Sequence, residues 1–120
     1  MKILIADDSR AMRQVIAHML REAGFRGHHI VEAADGQQAL AAAHAESPEL
    51  IISDWNMPAM TGIELLQALR AEASTTPFGF VTTEVSAEMQ QQAFDAGAAF
   101  LIGKPFSAED FRVALVDLLE

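Results

Sequence analysis

Five short apolar runs alternate along the chain with stretches whose apolar residues recur at helical spacing, and that alternation leaves few folds open. KILIA (Lys2–Ala6), HHIVEAA (His28–Ala34), ELIIS (Glu49–Ser53), FGFVT (Phe78–Thr82) and AFLIG (Ala99–Gly103) read as strands. Between the first two, Met12, Val15, Ile16, Met19 and Leu20 mark a helix closed by Gly24; a second helix runs through Ala39, Leu40 and Ala43 and stops before Pro48. Thr61-Gly62-Ile63-Glu64 has the form of a capping box opening a helix through Leu65, Leu66 and Leu69. Ser86 can cap a helix that runs to about Ala96 and ends at Gly97. Ser107 to Asp110 starts a last helix with Phe111, Ala114, Leu115, Leu118 and Leu119 on one face. Strands and helices in strict alternation predict a parallel sheet covered on both faces. At 120 residues the chain fits one domain, which at this size buries roughly two thirds of its unfolded surface without a metal or disulfide staple.

Exclusions follow from composition. The absence of cysteine removes disulfides, thiolate catalysis and Cys-ligated zinc. A net charge of −9 disfavours nucleic acid and anionic membranes as direct partners, since both need clustered Lys and Arg. No apolar run approaches the ~20 residues of a membrane helix, and MKILIADD turns acidic too early for a signal peptide, so a cytoplasmic location is expected. His18 and His44 lack a partner at metal spacing, and His28 and His29 face opposite sides of a strand. Neither Gly-rich nucleotide-binding motif is present.

Ligands of open α/β sheets bind beyond the carboxyl ends of the strands. The first strand ends in Asp7-Asp8, the third in Asp54, the fourth in Thr82-Thr83 and the fifth in Lys104-Pro105. Taken singly, an Asp after a strand is commonly a turn or cap residue. Here four strands deliver three carboxylates, a hydroxyl and an ammonium to one edge. Two unit charges ~4 Å apart repel by about 4 kcal/mol at an effective dielectric of 20. One lysine offsets one charge, and the remainder suits a hard divalent cation; an open oxygen site with water favours Mg²⁺ over a calcium cage. A carboxylate beside Mg²⁺ can attack a phosphoryl group, with the lysine and hydroxyl binding its oxygens.

ADDSRAMR (Ala6–Arg13), ISDWNMP (Ile52–Pro58), FVTTE (Phe80–Glu84) and GKPF (Gly103–Phe106), in this order, resemble the receiver domain of two-component response regulators, in particular its single-domain chemotaxis subgroup. The resemblance covers essentially the whole chain and implies one receiver domain over residues 1–120. It implies a flavodoxin-like, doubly wound (βα)5 fold with strand order 2-1-3-4-5. By the same resemblance Asp54 matches the phosphoacceptor, served by a sensor histidine kinase or phosphotransfer protein. Asp7 and Asp8 match the acidic pair that holds Mg²⁺ together with Asp54 and the Asn56 backbone carbonyl. Lys104 matches the phosphoryl-binding lysine, in a Lys–Pro peptide that is cis in the family, and Thr82 the hydroxyl that signals phosphorylation. Asn56 and Glu84 match positions that tune phosphoryl lifetime, here toward a short-lived signal. An output protein is expected at the face of helix four, strand five and helix five.

Some residues depart from the family pattern. Thr83 stands where a small residue is usual and could crowd the way to Asp54. The switch position of strand five holds Leu101 instead of an aromatic residue, with Phe100 one place earlier on the opposite face. Gly79 inside strand four has no explanation in the sequence, and neither has Trp55 beside the phosphoacceptor; Ser9 and Arg10 belong to the lip of the pocket. The competing readings are a receiver cut at Glu120 from a larger regulator, a receiver that works without phosphorylation, and a small Mg²⁺-dependent phosphatase with an aspartyl-phosphate intermediate. The last usually carries a D-x-D pair on one strand and a cap domain, whereas this chain has adjacent aspartates.

Overall fold

The computed structural model describes residues 1–119; Glu120 and the side chain of Leu119 lie outside the described residues. Ten elements alternate: β1 (Lys2–Ala6), α1 (Arg10–Glu22), β2 (His29–Ala33), α2 (Gly36–Glu46), β3 (Leu50–Ser53), α3 (Gly62–Ala71), β4 (Phe78–Thr82), α4 (Ala87–Asp95), β5 (Phe100–Gly103) and α5 (Ala108–Leu119). The sheet is parallel throughout in the order β2-β1-β3-β4-β5, the flavodoxin-like arrangement expected from the sequence.

The period-2 alternation of the strands sorts their side chains into two apolar layers. Ile3, Ile5, Leu50, Ile52, Val81, Phe100 and Ile102 pack with Ile16 and Leu20 of α1 and Phe111 and Leu115 of α5. Leu4, Ile51, Phe78 and Phe80 pack on the other face with Ala39 of α2, Leu65, Leu66 and Leu69 of α3 and Ala93 of α4. Both faces of β1, β3 and β4 are covered, which is why those strands read as continuous apolar runs rather than alternating ones.

The caps form where the sequence places them. The Thr61 side chain accepts from the Glu64 N–H while the Glu64 carboxylate accepts from the Thr61 N–H, the reciprocal capping box. Ser86 accepts from Met89 N–H, and Ser107 and Asp110 exchange bonds of the same kind at the start of α5. Gly24 takes φ +99° after α1 and Gly97 φ +104° after α4, both left-handed. The helical spacing of α1 misleads at one position: Val15 is exposed, because the buried stripe of that helix is narrow and centred on Ile16 and Leu20.

Gly79 has a packing reason. It pairs across the sheet with Phe100, and a Cβ built on it would lie 2.0 Å from the Phe100 ring. The ring lies flat over the missing side chain. Phe100 is therefore committed to the α1/α5 layer, while Leu101, its neighbour, belongs to the opposite layer and is half-buried.

Candidate functional site

Register brings the carboxyl ends of the strands level. Ala6 lies opposite Ser53, so the residues that follow, Asp7 and Asp54, sit side by side, with Asp54 N–H donating to the Ala6 carbonyl at 2.8 Å. Thr82 lies opposite Gly103, and Lys104 N–H donates to the Thr82 carbonyl at 2.8 Å, which turns the lysine over the same edge. Carboxylate oxygens of Asp7, Asp8 and Asp54 all lie within 4.8 Å of one another. The lysine ammonium is 3.3 Å from Asp7 Oδ2 and 3.5 Å from Asp54 Oδ2. The Lys104–Pro105 peptide is cis.

The three acids differ in support. Asp7 is buried; its Oδ1 accepts from Ser9 N–H at 2.9 Å and its Oδ2 from Lys104. Asp54 is buried, and its Oδ1 accepts from Trp55 N–H at 2.8 Å, leaving Oδ2 toward the lysine. Asp8 is exposed, and its side chain makes no hydrogen bond or ion pair among the described residues. Burial pushes the Asp54 carboxyl above its ordinary range, and the neighbouring Asp7 charge adds to this, while Lys104 and the Trp55 N–H oppose it. Thr82 is fully buried, with a hydroxyl that finds no hydrogen-bond partner among the described residues.

Asn56 and Glu84 are exposed on the loops that follow β3 and β4, and Thr83 is exposed beside Glu84. Trp55 is a core residue: its ring packs against Phe80 at 4.7 Å between centroids with the planes tilted by 41°, and Phe80 in turn meets Phe78 edge-on at 5.1 Å. The indole thus pins the loop whose first N–H binds the Asp54 carboxylate.

Two supporting residues were not singled out from the sequence. Gly62, at the start of α3, donates its N–H to the Trp55 carbonyl at 2.8 Å; a Cβ there would lie 2.2 Å from the Asp54 carbonyl oxygen. A glycine directly after a capping threonine was the available signal. Arg13 of α1 donates from Nη1 to the Asp7 carbonyl at 2.7 Å and from Nε to Glu32 at 2.8 Å.

The donor set is three carboxylates with one ammonium, so negative charge is in excess, and every ligand atom is a hard oxygen. With Asp8 open to solvent, this fits Mg²⁺ retaining several waters.

The family model for the response regulator receiver domain matches residues 3–116. The chain is 38% identical to the chemotaxis protein CheY of Pseudomonas aeruginosa, with 100% of this chain and 97% of that protein covered. It is also 38% identical to the chemotaxis protein CheY-3 of Vibrio cholerae, with 100% and 92% covered. The solved chemotaxis response regulator CheY4 of Vibrio cholerae superposes with a TM-score of 0.84 at 40% identity, with 98% of each chain covered.

Proposed function

The chain belongs to the family of response regulator receiver domains, and we propose that it is a phosphorylation-controlled signalling module of the cytoplasm whose Asp54 takes a phosphoryl group from a phosphohistidine. A sensor histidine kinase or a phosphotransfer protein supplies that group. An Asp54 oxygen bonds to phosphorus as the P–N bond breaks, and the imidazole keeps the electron pair of that bond. The Trp55 N–H occupies Oδ1, so Oδ2 is the oxygen turned toward Lys104 and the open side. Asp7, Asp8, Asp54 and the Asn56 backbone carbonyl would hold Mg²⁺, which supplies positive charge against the phosphoryl oxygens.

Lys104 leaves its carboxylate partners to bind a phosphoryl oxygen, and the Thr82 hydroxyl gains the partner it lacks. That exchange of contacts is the switch: it favours one of two arrangements of the β4–α4 loop and β5. An output protein reads the change at the face of α4, β5 and α5. There a groove of about 450 Å³ runs along the edge strand β5 beside α5, and Phe94 and Val113 are exposed. Asn56 and Glu84, exposed after β3 and β4, tune how long the phosphoryl group lasts. No external substrate is turned over.

The observation that carries this reading is the gathering of Asp7, Asp8, Asp54 and Lys104 at one sheet edge. Incubation with acetyl phosphate and Mg²⁺, followed by intact mass, tests it. Wild type is expected to gain one base-labile phosphoryl group and Asp54→Asn none. No gain in wild type, or an equal gain in the variant, would overturn the reading.

A further inference from the structure

Asp8 poses a positioning problem. Asp7 and Asp54 each have a backbone N–H and the lysine ammonium to fix their carboxylates. Asp8 is exposed and has neither among the described residues. Its carboxylate nevertheless lies with the other two, so its backbone must place it. Only Asp7, Asp8 and Ser9 connect β1 to α1. At the start of this connection Asp7 N–H is tied to the Ala33 carbonyl at 3.1 Å, and at its end Ser9 caps α1 by accepting from Met12 N–H. The peptide between Asp7 and Asp8 is then oriented by what its carbonyl meets, and that carbonyl meets the Arg13 guanidinium at 2.7 Å.

Arg13 is itself held. Its Nε donates to Glu32 Oε1 at 2.8 Å, and its side chain is 13% exposed against 46% for Glu32. Glu32 stands on β2, the edge strand, opposite Ile5 of β1. A guanidinium can bridge a carboxylate and a carbonyl with a fixed angle between its donors, which an ammonium cannot do.

We propose that Arg13, braced by Glu32, is a positioning residue that sets the Asp7–Asp8 peptide and so presents the Asp8 carboxylate to the divalent cation. This rests on the Mg²⁺ reading given above. Its sign separates it from a simple charge effect. A cation near the site repels Mg²⁺, so if Arg13 acted through charge alone its removal would tighten binding. Acting through position, its removal loosens binding.

The test is Mg²⁺ titration of the phosphate-free chain by calorimetry, with Trp55 fluorescence as a second signal. Arg13→Ala is expected to raise the Mg²⁺ dissociation constant about 10–100-fold, the range for outer-shell partners of metal ligands. Arg13→Lys, which keeps the charge and loses the fork, is expected to rescue little of this, and Glu32→Gln to give a smaller rise of the same sign. In an Asp8→Asn background Arg13→Ala is expected to change nothing further, because both act on one ligand. Should Arg13→Ala fail to fold by circular dichroism, Arg13→Lys and Glu32→Gln carry the same comparison. Unchanged or tighter binding in the folded Arg13 variants, or a full added loss in the Asp8→Asn background, would overturn the proposal while leaving the Mg²⁺ site standing. A wild-type chain that binds no Mg²⁺, or binding that Asp8→Asn leaves unweakened, would overturn both.

Discussion

On the phosphoacceptor reading, Asp54 has to be reactive and buried at once, and the two demands oppose each other. Burial and the Asp7 charge raise its carboxyl above the ordinary range, against the pull of Lys104 and Trp55 N–H. The folded chain therefore holds this proton more tightly than the unfolded chain does. Such a group contributes stability below its unfolded pKa and loses it as pH rises through the folded pKa. At neutral pH the ionised site thus works against the fold, a familiar relation between function and stability. Without divalent cations, Asp54→Asn is expected to melt at a higher temperature than wild type at pH 7, with the gap closing as the pH falls into the acid range. Differential scanning calorimetry across pH checks this; equal midpoints at pH 7, or a gap that widens on acidification, would contradict it. The acids and Lys104 were legible in the sequence because each stands within two residues of the carboxyl end of a strand. Trp55 was not, because its partner, Phe80, is 25 positions away and only strand pairing brings the rings together.

At the scale of elements, most local features are legible in the sequence, the Ser9 cap of α1 and the Asp35 cap of α2 being the exceptions. Caps and strand runs involve neighbours within about four residues, and the Thr61–Glu64 box, the Ser86 cap and all five strands stand where the sequence puts them. Features set by register between elements were hidden. Val15 fits the spacing of α1 but misses its buried stripe, and the bond from Arg13 to the Asp7 carbonyl depends on the turn between β1 and α1. The β4–β5 pair is the plainest case. Gly79 looks like a weak point in a strand until Phe100 is seen to cover it, an aromatic ring stabilising a glycine across the sheet. Gly79→Ala forces a methyl group into that ring and should destabilise the chain by about 1–3 kcal/mol, the usual cost of overpacking. Combined with Phe100→Leu, much of that loss should return, since the two residues compete for one volume. Urea melts of the two single variants and the double variant measure the coupling; strictly additive losses would rule out the shared contact. The same packing holds Phe100 away from the layer of Leu101, which lies opposite Phe80 in the β4–β5 register.

For the molecule as a whole, the site belongs to no single segment. Asp7, Asp54 and Lys104 are separated by 47 and 50 positions and meet only when β1, β3 and β5 are in register. An unfolded chain cannot assemble these ligands, so an ion held there binds the native state alone and stabilises it by mass action. On the Mg²⁺ reading, the melting temperature should climb with the logarithm of Mg²⁺ concentration once the dissociation constant is passed. At a hundredfold excess over that constant the gain is about 2.7 kcal/mol, which for a domain of this size corresponds to a shift on the order of 10 °C. Because the acids already repel one another and burial already opposes the Asp54 charge, part of that gain is relief of a cost built into the apo fold. Screening has to be separated from binding, since a chain of net charge −9 gains some stability from any salt. NaCl at matched ionic strength should reproduce only a small fraction of the shift, and Asp8→Asn should lose the Mg²⁺-specific part while keeping the NaCl response. An equal Mg²⁺ shift in Asp8→Asn would mean that the ion acts on the acidic surface at large rather than at the edge where β1, β3 and β5 meet.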